Sequence, residues 1–304
     1  MKREESLLKK LLFIFNPFSG KGKIKNRLSD VIYLFNQNGY EITIQATQCK
    51  EEATSIVAKK GSKYDLIVCS GGDGTLNEVV SGLMTLKKKP PVGYIPAGST
   101  NDFGASIGLP KNVMRAAEIV MKGEWNPYDV GQFGNRYFVY VAAFGAFSDV
   151  SYMTPQQTKN LIGHQAYVLE AMKKIGTIKP IHMLMEYNDQ VVEGDYLFGM
   201  ISNATSVGGI KGIVGSNVSM DDGLFEVMLV KHPENPIEFP MILSNLLSKE
   251  KDPKYIVTFK CAELKIHSDE PVSWTLDGEF GGDCCDTDVV IHKEAVCIAS
   301  LKKN

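Results

Sequence analysis

Asp65-Leu66-Ile67-Val68-Cys69-Ser70-Gly71-Gly72-Asp73-Gly74-Thr75-Leu76-Asn77-Glu78 is the stretch that decides the fold. Its first part is a short apolar run that reads as a buried strand, and its centre is a glycine loop. Leu76, Val79, Val80, Leu83 and Leu86 then recur at helical spacing. Strand, glycine loop and helix in that order make a cradle for phosphate. Glycine lets backbone amides approach an anion without Cβ obstruction, and the helix start adds unpaired amides and the positive dipole end. Thr75 and Glu78 fit a capping box that would fix the first turn, while Lys87, Lys88 and Lys89 suit the negative end of the helix. A carboxylate at Asp73 repels phosphate unless a cation lies between, so the loop predicts a magnesium–nucleotide complex. A glycine cluster in isolation is more often a tight turn, and here the strand and helix on either side reverse that preference. The pattern is neither the Walker motif nor the dinucleotide fingerprint.

Working outward, short apolar runs alternate with amphipathic stretches from Leu11 to about Lys122, the signature of a parallel sheet with helices on both faces. Leu11 to Phe15 reads as the first strand, and Ile24, Leu28, Val31, Ile32 and Phe35 as one helical face closed by Gly39. Ile42 and Ile44 mark a second strand, and Val92 to Ile95 a later one. In a parallel sheet the loops after these strands open on one edge. That edge gathers Asn16-Pro17-Phe18-Ser19-Gly20, the glycine loop, and Gly98-Ser99-Thr100-Asn101-Asp102-Phe103.

After Gly123 the rhythm becomes β: Tyr128 to Phe133, a Gly134-Asn135 hairpin signal, Tyr137 to Phe144, then Ile181 to Tyr187 and Tyr196 to Ile201. A helical insertion is expected at Gln156 to Ile175. The expected organisation is an α/β domain over residues 1–129, joined by about 293–304, and a β-rich domain over 130–292. The chain has 304 residues and a formal charge of −2 with no long basic run, so nucleic acid is not an expected partner. The longest early apolar stretch, Leu11 to Phe15, is far short of the roughly 20 residues a membrane span needs. The six cysteines match neither a zinc site nor a dense disulfide framework, so reduced thiols in a cytoplasmic protein are expected. The five histidines are scattered without ligand or triad spacing.

Five motifs together resemble the diacylglycerol kinase catalytic-domain family, the bacterial soluble lipid kinases related to sphingosine and ceramide kinases. They are Asn16-Pro17 with Ser19-Gly20; Gly71 to Thr75 with Asn77-Glu78; Gly98 with Thr100-Asn101-Asp102-Phe103; Asp221-Asp222-Gly223-Leu224; and Leu276-Asp277-Gly278-Glu279. The glycine loop alone is shared with NAD kinases and phosphofructokinases, and the late Asp277-Gly278-Glu279 makes the lipid-kinase likeness specific.

The resemblance implies a Rossmann-like three-layer α/β domain, a C-terminal β-sandwich domain and an active site in the cleft between them. ATP is then expected among Asn16, Pro17, Ser19, Gly20, Thr47, Gly71, Gly72, Asp73, Gly74, Thr75, Leu76, Asn77, Glu78, Thr100 and Asn101. Asp73, Asp102 and Asp129 are expected to form an acidic network around a catalytic Mg²⁺, with Asp277 as general base and Glu279 beside it. A second, structural Mg²⁺ maps to Asp222 with main-chain oxygens of Ser219 and Leu224. Phe18 departs from the small or polar residue common in the first loop. The implied partners are ATP, a lipid acceptor and the periphery of a membrane, with a homodimer as the candidate assembly. Diacylglycerol giving phosphatidic acid is the default reaction. Phosphatidylglycerol, a sphingoid base or soluble NAD are alternative acceptors, and a non-catalytic lipid-binding regulator is the reading from another class.

Overall fold

The structure, a computed structural model, describes residues 8–145, 179–211, 213, 218–248 and 250–301. The helix expected at Gln156 to Ile175 lies outside these residues. The chain divides into two compact units, Met1–Tyr128 with Ala295–Asn304, and Asp129–Glu294.

The first unit follows strict alternation. Its elements are β1 Lys9–Phe15, α1 Leu28–Gln37, β2 Tyr40–Ala46, α2 Glu52–Lys60, β3 Leu66–Gly71, α3 Asp73–Met84, β4 Val92–Pro96, α4 Asp102–Ser106 and α5 Val113–Lys122. The strands lie in the order β2-β1-β3-β4, all parallel. Beside β4 the end of the chain returns, with Ile298 parallel to Val92. All six residues of β3 and all five of β4 are buried, as expected for strands covered on both faces. Leu11, Phe13, Val31, Phe35, Val68 and Ala117 belong to one core cluster, so α1 and α5 pack their apolar stripes on the sheet. Gly39 closes α1 at φ 82°, a conformation glycine adopts without a Cβ penalty.

β5 Glu124–Phe133 carries the chain into the second unit. There follow β6 Arg136–Phe138, β7 Val141–Gly145, β8 Ile181–Tyr187, β9 Gln190–Ser202, the short pair β10 Ser206–Val207 and β11 Ile210–Lys211, β12 Phe225–Lys231, α6 Phe239–Leu247, β13 Ile256–Cys261, β14 Glu263–Leu276 and β15 Glu279–Ser300. Antiparallel pairing joins β13 to β12 and β12 to β9. β7 and β8 then share the slot between β9 and β14, and β15 lies beside β14.

The unit is β-rich as expected, and hydrogen bonds link its main strands continuously. β9, β14 and β15 run 13, 14 and 22 residues, and register shifts at His267/Val272 and Trp274/Thr275 interrupt the ladder along β14. Trp274 anchors the core, its ring 4.7 Å from Phe133 and 5.0 Å from Phe144. The strand expected from Tyr137 to Phe144 is broken at Val139-Tyr140. Gly134-Asn135 is the two-residue link between β5 and β6, with Phe133 opposite Arg136. Among the described residues no helix is long and apolar enough to cross a membrane.

The returning C-terminal segment is tied to the first unit by Ser300, whose buried Oγ lies 2.8 Å from Asn126 Nδ2 and 2.9 Å from the Tyr128 hydroxyl. Ser300→Ala leaves those groups short of a partner and is expected to lower stability by about 1–3 kcal/mol, read from denaturant unfolding.

Candidate functional site

In the first unit, parallel strands deliver four chain segments to one sheet edge in the spatial order Thr47, Asn16, Gly71-Gly72 and Ala97 to Asn101. The segments are joined by specific bonds. The Asn16 amide donates to the Ser70 carbonyl at 2.9 Å, and the Thr47 amide to the Phe15 carbonyl at 2.9 Å. Asn16 Oδ1 accepts from the Phe18 amide at 2.9 Å, which shapes the turn through Pro17. The Gly72 amide donates to Ser19 Oγ at 3.1 Å, linking the first loop to the glycine loop. The amides of Ala97 and Gly98 donate to the Gly71 carbonyl at 2.8 and 3.2 Å, linking the glycine loop to the loop after β4.

These approaches are too close for side chains. A Cβ on Gly98 would lie 2.5 Å from Gly72 Cα, and one on Gly20, already at φ 54°, would lie 1.7 Å from the Ala97 carbonyl oxygen. Asn101, in the left-handed region at φ 57°, closes its loop by accepting from the Gly98 amide at 2.8 Å and donating to the Gly98 carbonyl at 2.9 Å. Thr100 lies half-buried within the same loop. Phe18 is 78% exposed, with Lys25 Nζ 5.0 Å from its ring centroid.

α3 begins at Asp73 with Gly72 as N-cap, three residues before the N-cap implied by a Thr75–Glu78 capping box. That expectation is corrected. Glu78 turns away from its own helix and accepts from the amides of Glu51 at 2.9 Å and Ala53 at 3.1 Å, so it caps α2. Burial pushes its carboxyl up, partly offset by those same bonds. Thr75 packs under the loop, where a Cβ on Gly71 would meet its Oγ1 at 2.2 Å. Leu76 is buried, so only its backbone belongs to the cradle. Asn77 Oδ1 accepts from the Ser81 hydroxyl at 3.4 Å.

Asp73 is also a cap, accepting from the amides of Asp102 at 3.0 Å and Phe103 at 3.2 Å. Both carboxylates are nearly buried, at 9% and 2% exposure. The buried Tyr94 hydroxyl donates to the Gly71 carbonyl at 3.3 Å and reaches Asn101 Oδ1 at 3.4 Å. Burial pushes that hydroxyl well up, and the charges of Asp73, Cys69 and Asp102 add to the shift. Concentrated negative charge of this kind suits a cation. Mg²⁺ commonly takes only one or two protein carboxylates and fills its octahedron with phosphate oxygens and water. Among the described residues no three His, Cys, Asp or Glu side chains are grouped to hold an ion by themselves, so phosphate would have to supply the remaining ligands. Asp73 and Asp102 fit such a shared ion.

The second unit holds the other predicted acids. The Asp129 carboxylate accepts from the amides of Gly223 and Glu294, both at 2.7 Å, and its own amide donates to the Met220 carbonyl at 2.8 Å. Burial pushes its carboxyl up against the pull of those bonds, and the charges of Asp222 and Asp221 push the same way.

Asp277 and Gly278, at φ 50° and 81°, form the two-residue turn between β14 and β15, with Leu276 opposite Glu279. Two positive φ values are the mark of a type I′ turn. Trp274 and Leu276 are buried, whereas Phe280 is 40% exposed. The Asp277 side chain is buried too, and its carboxylate accepts from three consecutive amides: Val139 at 2.7 Å, Tyr140 at 2.9 Å and Val141 at 3.1 Å. These bonds explain the break between β6 and β7, because amides aimed at one carboxylate are not spent on a neighbouring strand. Glu279 is exposed at the start of β15. Near Asp222, its Oδ1 accepts from the Leu224 amide at 3.0 Å, and the Ser219 hydroxyl donates to Asp221 Oδ1 at 2.6 Å.

Tyr94, the Val139 to Val141 amides and Lys260, described below, are site features that sequence reading missed. For Tyr94 a signal existed: a tyrosine inside a Val-Ile strand needs a hydroxyl partner. The other two depend on long-range register.

Two substitutions follow from these bonds. Asp277→Asn sets an NH₂ against at least one backbone N–H and is expected to cost about 1–3 kcal/mol by denaturant unfolding. Glu78→Ala removes the cap of α2 and is expected to cost about 1 kcal/mol, with faster hydrogen exchange at Glu51 and Ala53.

The family model of the diacylglycerol kinase catalytic domain matches residues 10–133. A diacylglycerol kinase of Bacillus subtilis (strain 168) is 34% identical over 279 residues, covering 90% of this chain and 91% of that protein. One from Staphylococcus haemolyticus (strain JCSC1435) is 35% identical over 273 residues, 88% of this chain and 82% of that protein. A crystal structure of a candidate diacylglycerol kinase from Bacillus anthracis str. Sterne superimposes with a TM-score of 0.82 at 25% identity, over 99% of this chain and 98% of that one.

Proposed function

Because the chain belongs to the diacylglycerol kinase catalytic-domain family, we propose that it transfers the γ-phosphate of ATP, as its magnesium complex, to the hydroxyl of a membrane lipid. Diacylglycerol is the acceptor and phosphatidic acid the product. The observation that carries the nucleotide half of this reading is the side-chain-free meeting of Gly20, Gly72 and Gly98 against Ala97 at the start of α3.

Phosphoryl transfer demands positioning and charge neutralisation more than covalent participation by the protein. The backbone at the start of α3 receives the phosphates, with Thr47, Asn16, Thr100 and Asn101 around them on the same edge. Asp73 and Asp102 hold Mg²⁺, which when bound neutralises charge on the phosphate oxygens. Asp129 is the third carboxylate that the family resemblance assigns to the acidic network. Asp277, its orientation fixed by three amides, accepts the proton of the attacking hydroxyl. The lipid acceptor requires contact with a membrane surface.

Three experiments test the proposal. Purified protein with labelled ATP, Mg²⁺ and diacylglycerol in mixed micelles is expected to yield labelled phosphatidic acid. NAD in place of the lipid is expected to yield nothing, and label in NAD would reassign the acceptor as soluble. For Asp277→Asn, kcat is expected to fall by about 10²–10⁴-fold with ATP affinity intact, as for loss of an acid–base group. A retained kcat would remove Asp277 from proton transfer. Gly98→Ala is expected to weaken ATP binding by at least about tenfold, close to 1.4 kcal/mol, in calorimetric titration.

A further inference from the structure

The turn into β12 holds a cation that the proposed reaction does not use. The family resemblance implies a structural Mg²⁺ at Asp222 with main-chain oxygens of Ser219 and Leu224, but the side chains there are arranged around a different positive charge. Pairing of β12 with β13 sets Glu226 directly opposite Lys260. Lys260 Nζ lies 2.8 Å from Glu226 Oε1 and 3.7 Å from Asp222 Oδ2. The Glu226 side chain is 6% exposed and that of Lys260 is 40%, so the ammonium closes a buried carboxylate from the solvent side. The remaining oxygen of Asp222, Oδ1, already accepts from the Leu224 amide at 3.0 Å.

A divalent ion on Asp222 would share its carboxylate with an ammonium, and the two positive charges would repel at short range. The donor set therefore does not fit the implied metal.

We propose that Lys260 is the resident cation of this corner: its ammonium neutralises Asp222 and Glu226 and holds the turn into β12 without a divalent metal. The cation is supplied by cross-strand register, because Lys260 reaches the turn only while β13 is paired with β12.

Thermal unfolding of the full chain without nucleotide tests this, and because it uses neither ATP nor lipid its outcome is independent of the proposed activity. The wild-type midpoint is expected to be the same in EDTA and in excess Mg²⁺. Lys260→Met is expected to unfold several degrees lower in EDTA, since breaking a buried pair strands the remaining charge, and to recover in part when Mg²⁺ takes the vacated position. Adding Glu226→Gln to Lys260→Met is expected to restore stability in EDTA by removing the buried charge. A wild-type midpoint that rises with Mg²⁺ and loses that rise in Asp222→Asn would overturn the proposal, as would a Lys260→Met midpoint equal to wild type. A rise that persists in Asp222→Asn supports it, because the ion then binds elsewhere. Should Lys260→Met fail to fold, wild type against Asp222→Asn decides the matter.

Discussion

Gly72 and Gly98 stand so close that a Cβ on the second would lie 2.5 Å from the Cα of the first. This approach is possible only because β3 and β4 are neighbouring parallel strands whose carboxyl ends stop level with each other, Gly71 opposite Pro96. Gly20 repeats the arrangement from the far side of β3 by resting against the Ala97 carbonyl. Three loops therefore press backbone against backbone on one sheet edge, and the edge becomes a surface of amides and carbonyls with few side chains in the way. An anion with many oxygens fits such a surface better than an apolar ligand does.

The acids around the two units each make structural bonds as well as carrying charge. Asp73 caps α4, Asp129 ties Gly223 to Glu294, and Asp277 gathers three amides at the break between β6 and β7. Glu78 belongs to this group, though it serves α2 instead of the glycine loop. Substituting any of them perturbs folding and charge together, so stability has to be measured beside any functional readout. The same economy holds at the turn into β12, where Lys260 answers two carboxylates at once.

The α/β half was legible because its signals are local. Apolar runs, helical spacing and a glycine loop sit within a few residues of one another, and the predicted strands at Leu11, Ile42, Asp65 and Val92 all join one parallel sheet. Other features failed for the converse reason. The partner of Glu78 lies 27 residues away at Glu51, and those of Asp277 lie 136 to 138 residues away. Spacing arguments within one helix cannot see such partners, which is why Thr75–Glu78 read as a capping box. The Asp277-Gly278 turn lies between apolar residues that read as buried strand, and nothing local hints that the aspartate folds inward onto Val139 to Val141. Lys260 was invisible for a related reason: its role depends on which residue of β12 it faces, a matter of strand register.

Backbone amide NMR during titration with magnesium–ATP tests the central claim most directly. The account predicts that the largest shifts fall on the amides of Gly20, Gly72 to Thr75 and Gly98 to Asn101, with Asp102 and Phe103 following because Asp73 holds their N–H groups. Binding that leaves those amides unmoved while shifting resonances elsewhere would contradict it.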